Sequence, residues 1–262
     1  MTEPSPSVGS VDHPDAGYAY VPGISPYSAG VRALAGHKIR RVQLRSPLPW
    51  RDGFAIIDEV LAAADRPSQA LCSIELRCPE PHSFGGFGSF NDDYRSALAD
   101  RNILFGDGTN PVARTNVAPA KPPAETELYA FAFTQDAGAS DVGSDGRPSF
   151  VVSGAGDLHD QADLRPEAIV GGDGSWLDTG AERAAAVVAE IESRMSGLGV
   201  GWSDTDTVVA YSVEDVGLVI RSVNDRLGPA AARGVLWHLA RPPIAGLLYE
   251  MDARGGLTET AY

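Results

Sequence analysis

A positively charged side chain interrupts an otherwise apolar strand in the middle of the chain. Residues 110–119 read NPVARTNVAP, where β-branched residues favour a strand and prolines bracket its ends. Arg114 lies inside this strand, and a guanidinium is costly to bury unless an anion meets it. The pattern therefore indicates one of two partners for Arg114. One is a carboxylate of the protein, such as Glu125 or Glu127, and the other is the carboxylate of a ligand.

Three polar side chains are expected close to this arginine. Asn116 follows Arg114 by two residues, so both share one face of the strand, where Asn116 can contact a substrate. Asn91 and Tyr94 lie on the helix expected before the strand. Asn91 can bind substrate or bridge backbone groups, and Tyr94 can bind substrate or pack in the core. All three are candidate substrate-binding residues with a structural alternative.

Residue spacing does not support metal-dependent chemistry. The five histidines do not fall at metal-ligand spacing with one another or with the two cysteines. The sequence has no G-x-S-x-G motif for a serine nucleophile. Residues 84–88, FGGFG, lack the lysine and the strand-to-helix context of a nucleotide-binding loop, so we interpret them as a turn or a lid. We therefore predict neither a metal site nor a cofactor.

Apolar periodicity predicts the elements that position these residues. The first half is expected to fold as ββαβαββ, with a helix starting near Trp50 and an alternating, half-buried strand at 69–77. The second half is expected to repeat this plan, with a long helix behind a capping box at 179–182. The remaining predicted strands are 18–23, 39–46, 127–134, 150–154, 207–213, 235–239 and 247–252, and the remaining helices cover 87–98 and 216–227.

Three dipeptides recur in the same order about 120 residues apart. They are Ala-Arg at 113–114 and 232–233, Pro-Pro at 122–123 and 242–243, and Leu-Tyr at 128–129 and 248–249. This repetition predicts an internal duplication, in which Arg233 is the counterpart of Arg114. The predicted organisation is a flexible N-terminal arm (1–16), a first unit (17–135), a linker (136–148) and a second unit (149–262).

Charge and composition limit the partners of the chain. Its 262 residues carry a formal net charge of −14, which disfavours nucleic acid and anionic membranes. No apolar run approaches the roughly 20 residues that span a bilayer, and the N-terminus does not resemble a secretory signal. Two cysteines make a disulfide framework improbable, so we predict a cytoplasmic protein. A small anionic substrate remains possible if a local basic pocket binds it.

The repeated unit resembles the Rid/YjgF family of reactive enamine/imine deaminases, which have a chorismate-mutase-like fold. The resemblance rests on ARTNV (113–117), SGAGDL (153–158), the amphipathic helix that follows, VVAYSVED and the terminal YEMD. The strings LRCPEPHSFGGFGSFND, NPVARTNVAP and WHLARPPIAGLLYEMDARG resemble the two-domain branch of 2-aminomuconate and 2-amino-5-chloromuconate deaminases. This similarity covers nearly the whole chain after the arm.

The resemblance implies a fold and a chemistry. The fold is an α+β tandem of two units, each a mixed sheet with two helices on one face, and the assembly is a homotrimer of two-unit chains. Arg114 would hold a substrate carboxylate, and Glu250, at the position of a glutamate on the last strand, would orient or deprotonate water. Aligning the halves places Ala130 opposite Glu250, so one site between the two units is expected. Arg233 is a candidate for a second carboxylate, whereas Glu250 can instead face solvent on an edge strand.

Three functions follow from these patterns. The first is a cofactor-free deaminase that hydrolyses a 2-aminomuconate-type enamine or imine carboxylate and releases ammonia, in the breakdown of an aromatic compound or a related biosynthetic route. The second is a chorismatase-like hydrolase of a cyclic enol-ether carboxylate. The third is a non-catalytic binder of small carboxylates. The strings around Arg114 and residues 240–244 favour the first.

Overall fold

The computed structural model describes residues 9–138 and 146–262. The predicted arm and linker fall partly on residues 1–8 and 139–145, which lie outside the described residues. The described chain folds into two mixed β-sheets with four α-helices, a mixed α+β architecture. No helix within these ranges is both long and apolar enough to cross a membrane.

The six-stranded sheet belongs mainly to the first half of the chain. Its strand order is β11-β6-β5-β7-β4-β13. The strands are β4 (His37–Pro49), β5 (Leu71–Arg77), β6 (Ala113–Pro119), β7 (Glu127–Asp136), β11 (Ala240–Arg241) and β13 (Thr258–Ala261), and the helices of this half are α1 (Trp50–Ala63) and α2 (Phe84–Ala99).

The seven-stranded sheet belongs mainly to the second half. Its order is β1-β2-β3-β8-β12-β9-β10. The strands are β1 (Val11–His13), β2 (Tyr18–Val21), β3 (Gly30–Ala33), β8 (Phe150–Gly156), β9 (Thr207–Tyr211), β10 (Leu236–His238) and β12 (Glu250–Gly255), and the helices are α3 (Trp176–Leu198) and α4 (Ile220–Leu227).

Each sheet contains the same four-stranded arrangement. In the first half, β6 runs parallel to β5, and β7 lies antiparallel between β5 and β4. In the second half, β10 runs parallel to β9, and β12 lies antiparallel between β9 and β8. Terminal strands cross between the halves, since β3 pairs with β8 and β13 pairs with β4. The proposed unit boundaries therefore do not coincide with the boundaries of the sheets, because each sheet contains strands from both units.

Amphipathic helices build the two main cores. The side of α3 predicted to be apolar is buried against β8 and β12, which confirms the helix. In the first half, α1 packs on β4 and β7, and the aromatic residues of α2 join that core. Burial of these apolar side chains supplies the main driving force for folding. The buried residues of the α3 stripe are Ala184, Val187, Val188, Ile191, Met195 and Leu198.

Several local predictions were wrong because tertiary contacts override them. All seven residues of β5 are buried, since its polar face lies against the other sheet and Glu75 accepts from Arg41 (Nε–Oε1 2.5 Å). Helix α3 begins at Trp176 after Ser175, one turn before the predicted capping box. Helix α2 begins at Phe84, so FGGFG forms helical turns instead of a loop. The part of the predicted arm that is described contains β1, which pairs with β2.

Candidate active site

Strand β6 of the six-stranded sheet packs against β8 of the seven-stranded sheet and places Arg114 between the two sheets. The Arg114 backbone N–H donates to Ser153 Oγ of β8 at 3.1 Å. Thr115 Oγ1 accepts from the Gly154 N–H at 3.1 Å and donates to Asp252 Oδ2 of β12 at 3.0 Å. These bonds fix β6 against two strands of the seven-stranded sheet, so residues from both halves face one cavity.

Arg114 is held without an ion pair among the residues that the structure describes. Its side chain is buried, with 3% of its surface exposed. Nη2 donates to Asn91 Oδ1 at 2.8 Å, while Nη1 has no hydrogen-bond partner among residues 9–138 and 146–262. The alternative pairing with Glu125 or Glu127 does not form. Burial lowers the pKa of Arg114 below its usual value, although a guanidinium remains charged at neutral pH.

Aromatic rings enclose the guanidinium of Arg114. The rings of Tyr94 and Tyr27 have centroids 4.7 and 4.8 Å from Cζ, and those of Phe87 and Phe90 lie at 5.5 and 5.7 Å. Cation–π attraction partly offsets the loss of hydration without neutralising the charge. The guanidinium therefore stays cationic and oriented, with one edge available to an anion.

Glu250 approaches the same cavity from β12. It is 3% exposed, and its Oε1 packs so closely on Gly154 that any side chain at position 154 would collide with it. Burial raises the pKa of Glu250 well above its ordinary value; Asp252 and Asp157 add to this rise, whereas Arg194 and Arg114 oppose it. The carboxyl group is thus held toward its neutral form and can act as a proton donor.

Asn116 completes the polar lining. Only 3% of this residue is exposed, and neither Nδ2 nor Oδ1 has a hydrogen-bond partner in the part of the chain that the structure describes. Buried polar side chains are normally hydrogen-bonded, so an unpartnered amide beside a cation marks a ligand-binding surface. Arg114, Asn116 and Glu250 line one cavity of about 30 Å³, large enough for one or two water molecules.

Two candidate residues act on Arg114 instead of lining the cavity. Asn91 accepts the hydrogen bond from its guanidinium, and the Tyr94 ring packs against it. Neither residue lines the cavity. These contacts indicate a role in positioning Arg114, while substrate binding by Asn91 and Tyr94 stays a prediction.

Arg233, the predicted candidate for a second substrate carboxylate, lies outside the lining of this cavity. It ends the 3₁₀ segment Gly228–Arg233, with 45% of its side chain exposed and Nη2 3.6 Å from Asp206 Oδ1. Its local structure differs from that of Arg114 on β6, so the Ala-Arg dipeptides are not structural counterparts. Binding of a second carboxylate by Arg233 stays a prediction.

Sequence reasoning missed several residues of the cavity wall. Tyr27 comes from a loop that pairs with β6 through Ser28, and Gln161 and Leu158 come from the loop after β8. No local motif marks Tyr27 or Gln161. The small residues of SGAGDL could have indicated this part of the site. A side chain at Gly154 would collide with the Glu250 carboxyl group, so this position requires glycine.

Together these groups can bind a small carboxylate and move a proton. Arg114 supplies the cation, Asn116 supplies one donor and one acceptor, and Glu250 supplies a buried proton. The rest of the wall is largely apolar, from residues such as Leu158, Leu247 and Ile244, and it limits access of bulk water.

A family model described as 2-aminomuconate deaminase CnbZ matches residues 10–260. The chain is 36% identical over 245 residues to a 2-amino-5-chloromuconate deaminase of Comamonas testosteroni, covering 93% of this chain and 95% of the relative. A solved chorismatase aligns with a TM-score of 0.42 and 12% identity over 87% of this chain and 77% of its own. A cyanuric acid hydrolase from A. caulinodans aligns with a TM-score of 0.41 and 12% identity over 85% and 68%.

The family match confirms the deaminase branch of the resemblance, while the wider Rid/YjgF assignment stays a prediction. Both sequence matches run through β6, which carries Arg114, and the family model also includes Glu250 of β12. The chain belongs to the 2-aminomuconate deaminase family.

Proposed function

We propose that the protein is a hydrolytic deaminase of a 2-aminomuconate-type enamine or imine carboxylate, releasing ammonia. The observation that carries this proposal is the meeting of Arg114, Asn116 and Glu250 in one buried cavity between the two sheets. The family membership supports the same substrate class. The breakdown of an aromatic compound is the setting that the sequence resemblance implies.

The proposed reaction begins with binding of the substrate carboxylate by Arg114. An arginine–carboxylate pair is strong and directional, and the aromatic enclosure keeps the guanidinium in place. The carboxylate lies next to C2, so this pair places the C2 amino group beside Asn116 and Glu250.

Proton transfer then converts the enamine into an electrophile. Neutral Glu250 gives its proton to a carbon of the enamine, which produces the iminium form and leaves Glu250 ionised. The resulting carboxylate accepts a proton as water adds to C2, and ammonia leaves with formation of the 2-oxo acid. Water is the one co-reactant, so this route uses no cofactor.

Ammonia release from enzymatically generated 2-aminomuconate tests the proposal, with chorismate as the comparison substrate. We expect Arg114→Ala to lower kcat/KM by roughly a hundredfold or more, since it removes a charge-assisted pair. Arg233→Ala is the matched control, because Arg233 is an exposed arginine outside the cavity. Full turnover by Arg114→Ala, or hydrolysis of chorismate in place of 2-aminomuconate, would refute the assignment.

We further propose that the chain is a tandem duplication of a Rid-like unit, that it is cytoplasmic, and that it assembles as a homotrimer. The identical order and direction of four strands in each half supports duplication. Edge strand β10 and the residue after it expose apolar side chains, Leu236, Trp237 and Leu239, which supports burial by another copy. Light scattering coupled to gel filtration tests the trimer, and a monomer mass would refute it.

A further inference from the structure

The unpartnered polar atoms of the cavity specify the ligand group that would satisfy them. Three such atoms belong to the lining: Arg114 Nη1, Asn116 Nδ2 and Asn116 Oδ1. Whichever way the amide is turned, Asn116 presents one donor and one acceptor. A ligand that satisfies all three atoms therefore offers two acceptors and one donor hydrogen.

A carboxylate with a neighbouring N–H group has this arrangement. Its two oxygens can accept from Arg114 and from the Asn116 NH₂, and the adjacent N–H can donate to the Asn116 carbonyl. A carboxylate next to a carbonyl instead places an acceptor against Asn116 Oδ1, which leaves that oxygen unpaired. Buried amides discriminate strongly between such ligands, because the mismatched polar atom is desolvated without compensation.

We propose that Asn116 is the specificity-determining residue that distinguishes the 2-amino or 2-imino carboxylate substrate from the 2-oxo carboxylate product. This inference rests on the proposed deaminase function and adds the recognition of the nitrogen at C2. The same amide that binds the substrate would also favour release of the product, because hydrolysis replaces the hydrogen-bond donor at C2 with an acceptor.

The environment of Asn116 makes a purely structural role a poor explanation. A structural asparagine uses its amide to bond backbone or side-chain groups, yet both amide atoms of Asn116 have no partner in the protein. Replacing it by leucine, whose side chain has the same number and branching of heavy atoms, removes no hydrogen bond within the described residues. We therefore expect Asn116→Leu to melt at or above the wild-type temperature.

Two stable probes isolate the contribution of the N–H group. Pyrrole-2-carboxylate and furan-2-carboxylate are planar five-membered-ring acids that differ in having N–H or oxygen beside the carboxylate-bearing carbon. Isothermal titration of the full-length protein should show roughly tenfold tighter binding of the pyrrole acid, about the effect of one buried hydrogen bond. Asn116→Leu should bind the two acids equally, and Arg114→Lys should weaken both.

The outcomes separate this inference from the proposed function. Equal binding of the two acids by the wild-type protein, binding of neither acid, or a pyrrole preference that survives Asn116→Leu would overturn the role of Asn116. If ammonia release from 2-aminomuconate persists in any of these cases and still requires Arg114, the deaminase proposal stands without it. Loss of the Arg114 requirement in turnover would instead count against the proposed function.

Discussion

Arg114 and Arg183 are both almost fully buried, yet the protein surrounds their guanidinium groups with different chemistry. Arg183 Nη1 meets Asp157 Oδ2 at 2.5 Å, and its other nitrogens donate to Thr179 Oγ1 and Gly172 O. Arg114 has one amide partner, an aromatic enclosure and an unpartnered Nη1. The protein neutralises the first cation itself and leaves the second one uncompensated.

The difference separates a structural arginine from the one that we propose binds a ligand. Arg183 and Asp157 join α3 to the segment that leads into β12, because Asp157 also accepts from the Leu248 and Tyr249 backbone N–H groups. This joint stabilises the walls of the cavity, whereas Arg114 faces into it. A buried arginine whose charge the fold does not compensate is a stronger sign of a ligand than burial alone.

The largest predicted effect concerns stability. Arg183→Met should lower the free energy of unfolding by about 3–5 kcal/mol, because it leaves Asp157 buried without its partner. Arg114→Met should lower it by less than about 2 kcal/mol, since it breaks one hydrogen bond, to Asn91, and no ion pair. Urea unfolding of both variants measures the contrast, and equal losses would abolish the distinction between the two arginines.

A single substitution can make Arg114 resemble Arg183. Asn91→Asp places a carboxylate where Oδ1 now lies 2.8 Å from Nη2. The new ion pair should compete with the substrate carboxylate for Arg114 and weaken the binding of that carboxylate by about 1.5–3 kcal/mol. This corresponds to roughly a 10–100-fold loss of kcat/KM. Unfolding stability should stay level or rise, as measured by urea titration.

Asn91→Ala is the matched control for that variant, because it removes the amide without adding a charge. We expect it to lower kcat/KM by less than Asn91→Asp does. If the aspartate variant turns over substrate as fast as the alanine variant, compensation of the Arg114 charge does not govern binding.

The buried carboxyl group of Glu250 also predicts that the free energy of unfolding depends on pH. Burial raises the pKa of Glu250, so the folded state binds its proton more tightly than the unfolded state does. The contribution of this bound proton to the free energy of unfolding is complete below the pKa of Glu250 in the unfolded state. It is lost as the pH rises through the pKa of Glu250 in the folded state. Between about pH 5 and about pH 8, the urea midpoint of the wild-type protein should therefore fall more than that of Glu250→Gln. Parallel curves for the two proteins would contradict this.

The sequence singled out Arg114, the proposed binding arginine, but not the structural Arg183. Arg114 stood out because it interrupts an apolar strand between prolines. Arg183 lies on the amphipathic helix α3 like any other helical charge, and Asp157 is 26 residues away in sequence, so no local pattern revealed their pairing. Long-range contacts of this kind arise from the packing of one element on another.

The same limit explains the errors in the elements. The alternation in β5 correctly predicted a strand, but it could not show that the second sheet covers the polar face. Dipeptide repetition suggested the duplication, yet it paired Arg114 with the exposed Arg233. Glu250 came from the resemblance, and the structure then placed it beside Gly154, a contact between distant strands.

The smallest predicted effect compares glycines in two helices. Helix α3 carries Arg183, and helix α2 carries Asn91, which accepts a hydrogen bond from Arg114. In α3, a side chain on Gly180 would lie 2.9 Å from the Trp176 ring, so Gly180→Ala should destabilise the protein. In α2, side chains on Gly85 and Gly88 would meet nothing within 4 Å. Gly85→Ala and Gly88→Ala should each therefore stabilise the protein by about 0.5–1 kcal/mol.

These α2 glycines flank Phe87, which covers Arg114 and forms part of the cavity wall. A cavity of about 30 Å³ is far smaller than the roughly 300 Å³ of a small ligand pocket, so a wall has to move before a substrate enters. Stiffening this turn should slow substrate association, measured by stopped-flow binding, while thermal stability rises. Unchanged association in both alanine variants would place the moving wall elsewhere, in the loop that carries Leu158 and Gln161.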